Sequence, residues 1–130
     1  MNIYFLIAGI ISAFACIGHF TIGRRDFLIP ILKSDAEEIP KKVMHSLFHY
    51  MSVFQIISTV VFLRAAFDSC CLFENANDAI LIIAINYTGF AISQFLIAVT
   101  SKVPKGISKM FQWVFWAVIA LLSFLGIYKF

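Results

Sequence analysis

The sequence predicts an all-α membrane protein, an antiparallel up-down four-helix transmembrane bundle that forms one domain over residues 1–130. Three observations carry that expectation. Hydrophobic residues make up 62% of the chain and charged ones only 13%, with a mean hydropathy of +0.93. A soluble domain is about half apolar and about a quarter charged, and a globule this small has too much surface for its volume to hide the excess. Second, four apolar runs are each long enough to cross a hydrocarbon core, which takes about 20 residues of helix. Third, Pro30, Pro40 and Pro104 all fall between those runs, where they punctuate without breaking a span. With no water in the core, each span must satisfy its own backbone polar groups, so helices follow. β-Barrel alternation is absent.

The first span covers about residues 3–22. A cleaved signal peptide would need a basic leading segment, and Met1-Asn2-Ile3-Tyr4 has no basic side chain. Ala13-Phe14-Ala15-Cys16 approximates a lipoprotein cleavage site, but Phe14 is too bulky for one. A retained span is expected. After it, Phe27-Leu28-Ile29-Pro30-Ile31-Leu32 is too apolar for free water and is expected in the bilayer interface. Ser34 and Glu37 have capping-box spacing for one or two turns before Pro40, which opens the second span at about 43–67. Asn77 and Asp78 suit the N-terminus of the third span, about 79–99, where acidic groups complement the helix dipole. The fourth runs over about 107–128.

Charge predicts orientation. Eight of the ten lysines and arginines lie in the first and third loops: Arg24, Arg25, Lys33, Lys41 and Lys42, then Lys102, Lys105 and Lys109. The other side carries Arg64 and Lys129. The positive-inside rule places loops one and three in the cytoplasm and both termini outside, periplasmic if this is a bacterial inner membrane. Cations confined to short turns make no nucleic-acid footprint. The expected partners are the lipid bilayer and either further copies of the chain or a larger membrane complex.

Membrane helices associate through small and polar residues, and spacing at about 100° per residue marks one such stripe on each span. These are Ala8, Ser12, Cys16, His19 and Gly23; then His45, His49, Ser52, Ile56 and Thr59; then Asn86, Gly89, Ser93 and Thr100, with Tyr87 and Gln94 on the flank; and finally Ser108, Gln112, Trp116, Ser123 and Gly126. By depth, His19, His45, His49, Gln94 and Gln112 fall in one layer near the cytoplasmic side. Ionisable groups inside membranes tend to mark functional sites. His45-x-x-x-His49 has the spacing at which two imidazoles share a transition metal, with His19 as a third ligand. Alternatively, His19 and His49 are the axial ligands of a haem b held between helices. Gln94 and Gln112 would then orient the rings. The commoner role of interfacial histidines is to hydrogen-bond a neighbouring carbonyl or headgroup. No carboxylate outside the first loop lies near, so a hydrolytic zinc site is unsupported. Cys70 and Cys71 are expected in an outer loop, reduced or incidental, and Cys16 as a packing residue.

In order, Gly18-His19, Gly23-Arg24-Arg25, Leu28-Ile29-Pro30, then His49 and Ser52-Val53, with Gln112-Trp113-Val114-Phe115-Trp116 near the end, this sequence resembles a family of small, uncharacterised four-transmembrane-helix inner-membrane proteins of Proteobacteria. That family carries a His-x-x-x-Gly-acidic-basic element, a downstream proline and a Trp-His pair opening helix two. Arg24 replaces the acidic residue here and Phe48 the tryptophan. The resemblance implies the four-span topology and singles out His19 and His49. It implies no activity.

No nucleotide-binding glycine loop, nucleophile triad or paired carboxylate is present, so an enzyme is not expected. A structural or accessory membrane protein is the first expectation, and a haem- or metal-binding redox or transport component the alternative. A proton-coupled exporter ranks below both, because all seven acidic residues are expected in loops or at helix ends.

Overall fold

A computed structural model describes residues 1–67 and 75–129; Cys70 and Cys71 lie outside the described residues. Every secondary-structure element of the described residues is a helix, and none is a strand. Four helices are long and apolar enough to cross a membrane: Ile3–Leu32, Glu38–Ala66, Ala76–Thr100 and Gln112–Lys129.

The first is a composite. An α-helix, α1, spans Ile3–Gly18, a π-helical segment continues over His19–Leu28, and a terminal α-turn, α2, covers Ile29–Leu32. Its start is set by Asn2, whose side chain accepts hydrogen bonds from the backbone of Tyr4 and Phe5. The composite runs about ten residues past the predicted end of the first span, and Pro30 lies inside it. Pro30 occupies the first turn of α2, a position that tolerates a missing N–H. Asp26 therefore also sits in a helix, where Arg25 grips it through Nε and Nη2 at 2.6 and 2.9 Å. At 30 residues the composite exceeds what the hydrocarbon core needs, so its charged end reaches beyond that core.

Helix α3, Glu38–Ala66, opens after a turn at 33–36 in which Ser34 bonds back to Ile31 O instead of capping α3. Helix α4, Ala76–Thr100, is capped by Asn75, two residues before the predicted Asn77, and keeps Asp78 in its first turn. The fourth predicted run is broken. A short helix α5, Gly106–Lys109, precedes α6, Gln112–Lys129, and Ser108 belongs to α5.

Helix α1 packs chiefly on α3 and then on α6, α4 packs chiefly on α6, and α3 touches α4 least. The helices thus form a ring in the order α3, α1, α6, α4, with every neighbour antiparallel. The core is built from Phe5 and Ala8 of α1, Phe62 and Ala66 of α3, Ile80 and Tyr87 of α4, and Trp116 and Ile119 of α6. At the end opposite the lysine-rich loops, Asn2 joins three helices: its backbone N–H donates to Ala66 O and its amide to Gly126 O.

Candidate functional site

The π-helical segment begins at His19. In a π-helix the hydrogen bonds run five residues back, a geometry that is rare and recurs at functional sites. It leaves His19 half-buried and turned toward α3. His19 Nε2 lies 3.0 Å from Phe48 O and 3.1 Å from Ser52 Oγ. Ser52 spends its own proton on the same carbonyl. A carbonyl only accepts, so Nε2 carries the hydrogen and the neutral ring keeps its lone pair on Nδ1. Phe48 stacks flat on the imidazole, centroid to centroid at 3.8 Å.

His45 and His49 pair with each other along α3, Nε2 to Nε2 at 3.1 Å. His49 meets Phe48 edge-on. Among the described residues no three His, Cys, Asp or Glu side chains are placed to hold one metal ion.

Gln94 and Gln112 take other partners than the expected imidazoles. Gln94 Nε2 donates to Gln112 Oε1 at 2.9 Å, and Trp116 Nε1 donates to Gln94 Oε1 at 3.0 Å. They clasp α4 to α6. Even so, Gln112 and Trp116 share with His19 the wall of a recess of about 330 Å³, bounded mainly by aromatic rings. The predicted layer is therefore divided among a His19 bridge, a His45–His49 pair and a glutamine–tryptophan clasp.

Deeper in the bundle lies a polar centre in which Ser12 and Thr59 of the predicted stripes and the flanking Tyr87 meet Ser58 and Gln55, which those stripes did not include. Tyr87 is fully buried, and its hydroxyl lies 2.7 Å from Ser58 Oγ and 3.2 Å from Ser12 Oγ. Ser12 also bonds Thr59 at 2.7 Å. Ser58 and Thr59 both return to the Gln55 carbonyl. Tyr87 stacks on Trp116 at 5.5 Å and meets Phe54 and Phe90 edge-on. Beside this network Gln55 is only 1% exposed, and neither polar atom of its side-chain amide has a partner among the described residues.

The stripe predicted for the third span points outward. Asn86, Gly89, Ser93 and Thr100 are exposed, while the flanking Tyr87 and Gln94 face the bundle. Asn86 and Thr100 satisfy themselves on their own helix, through Ile82 O and Leu96 O at 2.8 Å each. On α3, Ile56 is likewise exposed, and the buried line runs through Ser52, Gln55 and Ser58.

No family model, no curated protein and no solved structure matches the chain.

Proposed function

We propose that this chain is a non-enzymatic accessory protein of a bacterial inner membrane, docking on another transmembrane helix through the outer face of α4. One observation carries the reading. Asn86, Gly89 and Ser93 form a polar and small stripe on the exposed side of a helix whose other exposed positions between Ile82 and Val99 are apolar, such as Ile82, Ile85 and Ile92. A polar side chain facing lipid is costly, and small residues with hydrogen-bonding neighbours are what membrane helices use to approach one another. A Cβ built on Gly89 meets nothing within 4 Å, so the closest approach there is left for another helix. The polar side chains turned inward support the same reading, since their bonds tie one helix of the bundle to the next.

Cysteine placed at Gly89 or Ser93, in a background lacking the native cysteines, tests it in native membranes with a short bifunctional cross-linker. A discrete adduct at these positions and not at Val53 of α3 is the expected result. A band at twice the chain mass identifies a second copy, and a larger one a different subunit. Absence of any discrete adduct sinks the proposal. In this reading loops one and three face the cytoplasm, supported by the lysine and arginine bias.

A second reading, binding of a transition metal or haem, is favoured by the His45–His49 pair. Zinc holds imidazole nitrogens at about 2.0–2.1 Å, which brings two adjacent ligands to little more than about 3 Å from each other, close to the observed 3.1 Å. A partner or solvent would complete the shell. Haem fits less well: His19 has committed Nε2 to Phe48 O and Phe48 covers its ring, so an iron could take only Nδ1. Metal analysis and an absorption spectrum of purified protein decide it. Stoichiometric metal or a Soret band, lost in His49→Ala, supports this reading, and neither in the wild type removes it.

A further inference from the structure

The recess beside His19 is used by neither proposal above. It lies between the end of α1 with its π segment, Phe48 of α3, and the start of α6. Its rim residues Phe14, Phe27 and Phe111 are exposed on the apolar surface, so it opens sideways toward lipid. Its volume of about 330 Å³ sits at the small end of the range for ligand pockets, about 300–1,000 Å³.

We infer that this recess binds the ring of a neutral, lipid-soluble quinol, with its apolar tail left in the bilayer. Three features select that class. The walls are largely aromatic, and flat rings stack on or meet the edges of such walls favourably. An acyl chain gains nothing from that geometry. No lysine, arginine, aspartate or glutamate lines the recess, so a phosphate or carboxylate headgroup finds no counter-charge there. Two polar atoms are left for a ligand. His19, with Nε2 bonded to Phe48, holds an accepting Nδ1 next to Gly23, which also lines the recess. Gln112 accepts from Gln94 through Oε1 and keeps its Nε2 hydrogens. A quinol hydroxyl donates to the Nδ1 acceptor while a ring oxygen accepts from the Gln112 amide, whereas an oxidised quinone has no hydrogen to give Nδ1. The inference concerns binding alone and involves no electron transfer.

Gly18 supplies the test. It lines the recess, and a Cβ built on it meets nothing within 4 Å. The first atom of a side chain at Gly18 thus has open space, Gly18→Leu is expected to occupy the recess, and leucine is the better helix former. Protein in lipid nanodiscs is titrated under anaerobic, reducing conditions with a decyl-substituted hydroquinone while tryptophan fluorescence is followed, because Trp116 forms part of the wall. Decanol serves as the ringless control, and the melting temperature of each variant is recorded. Saturable quenching in the wild type, at least about tenfold weaker in Gly18→Leu with an unchanged melting temperature, and weakened in His19→Ala, is the expected result. Non-saturating quenching, equal affinity in Gly18→Leu, or equal competition by decanol overturns it. Should Gly18→Leu fail to fold, Phe14→Ala, at an exposed rim position, must weaken binding, and unchanged affinity there also overturns it.

Discussion

Tyr87 shows how much one side chain can organise in a bundle without water. Its ring fills the centre and its hydroxyl joins α4 to α1 and α3. Tyr87→Phe keeps the ring and removes both contacts. Polar contacts between membrane helices average about 0.6 kcal/mol, so a loss of about 1 kcal/mol is expected in reversible unfolding in mild detergent. Gln55 is the opposite case, a buried amide with no partner among the described residues. An unsatisfied buried polar group costs about 1–3 kcal/mol. Gln55→Met, close in volume, should therefore stabilise the bundle by an amount in that range. A clear destabilisation would mean that the amide has a hydrogen-bonded companion such as an internal water.

At the scale of the element, the turn between α4 and α6 contains the backbone strain of the described chain. Lys105 adopts φ 58°, the left-handed region that disfavours side chains with a Cβ. Lys105→Gly should raise stability by about 1 kcal/mol, read as a higher melting temperature. The neighbouring Gly106 has the reverse requirement. A Cβ there would lie 2.7 Å from Ala98 O, so Gly106→Ala should destabilise the same turn by about 1–3 kcal/mol. If both substitutions act in the same direction, this account of the turn is wrong. The cap at the other end is a second element-level device. Asn2→Ala removes the acceptor for Tyr4 and Phe5, worth about 1 kcal/mol, and also the bond to Gly126 O. A larger loss than a cap alone gives is expected.

Over the whole molecule, the contact between α1 and α6 closes the ring and depends on Gly126. A Cβ there would run into the Phe5 ring. Gly126→Leu should separate these helices and lower the melting temperature more than Gly89→Leu, which faces outward with open space around it. Equal effects would contradict the helix order described above. Orientation is also a property of the whole chain. Alkaline phosphatase fused after Phe130 should be active, and green fluorescent protein at the same place dark, if the termini lie outside. The opposite pattern would invert the topology.

Composition and run length were sufficient for the helical class and for four helices long and apolar enough to cross a membrane, but not for the end of the first or the start of the fourth. The bilayer admits no other use of four such runs. His19 was legible as an inward residue because Ala8 and Ser12 line up with it on α1. The exposed side of α4 was not. In a soluble protein the polar face is the outer one and the pattern reveals it, but in lipid both faces are apolar and rotation about the helix axis leaves little trace in sequence. A short polar residue can also bond its own carbonyl four residues back, as Asn86 does, so polarity alone does not point inward. Gln94 and Gln112 shared a depth with the histidines, yet depth says nothing about which helices are neighbours. The tertiary structure decided that by placing α6 between α1 and α4. Helix formation in a membrane is local and fixed by the solvent, whereas the facing of each helix is a pairwise packing problem that exists only once the helices have met.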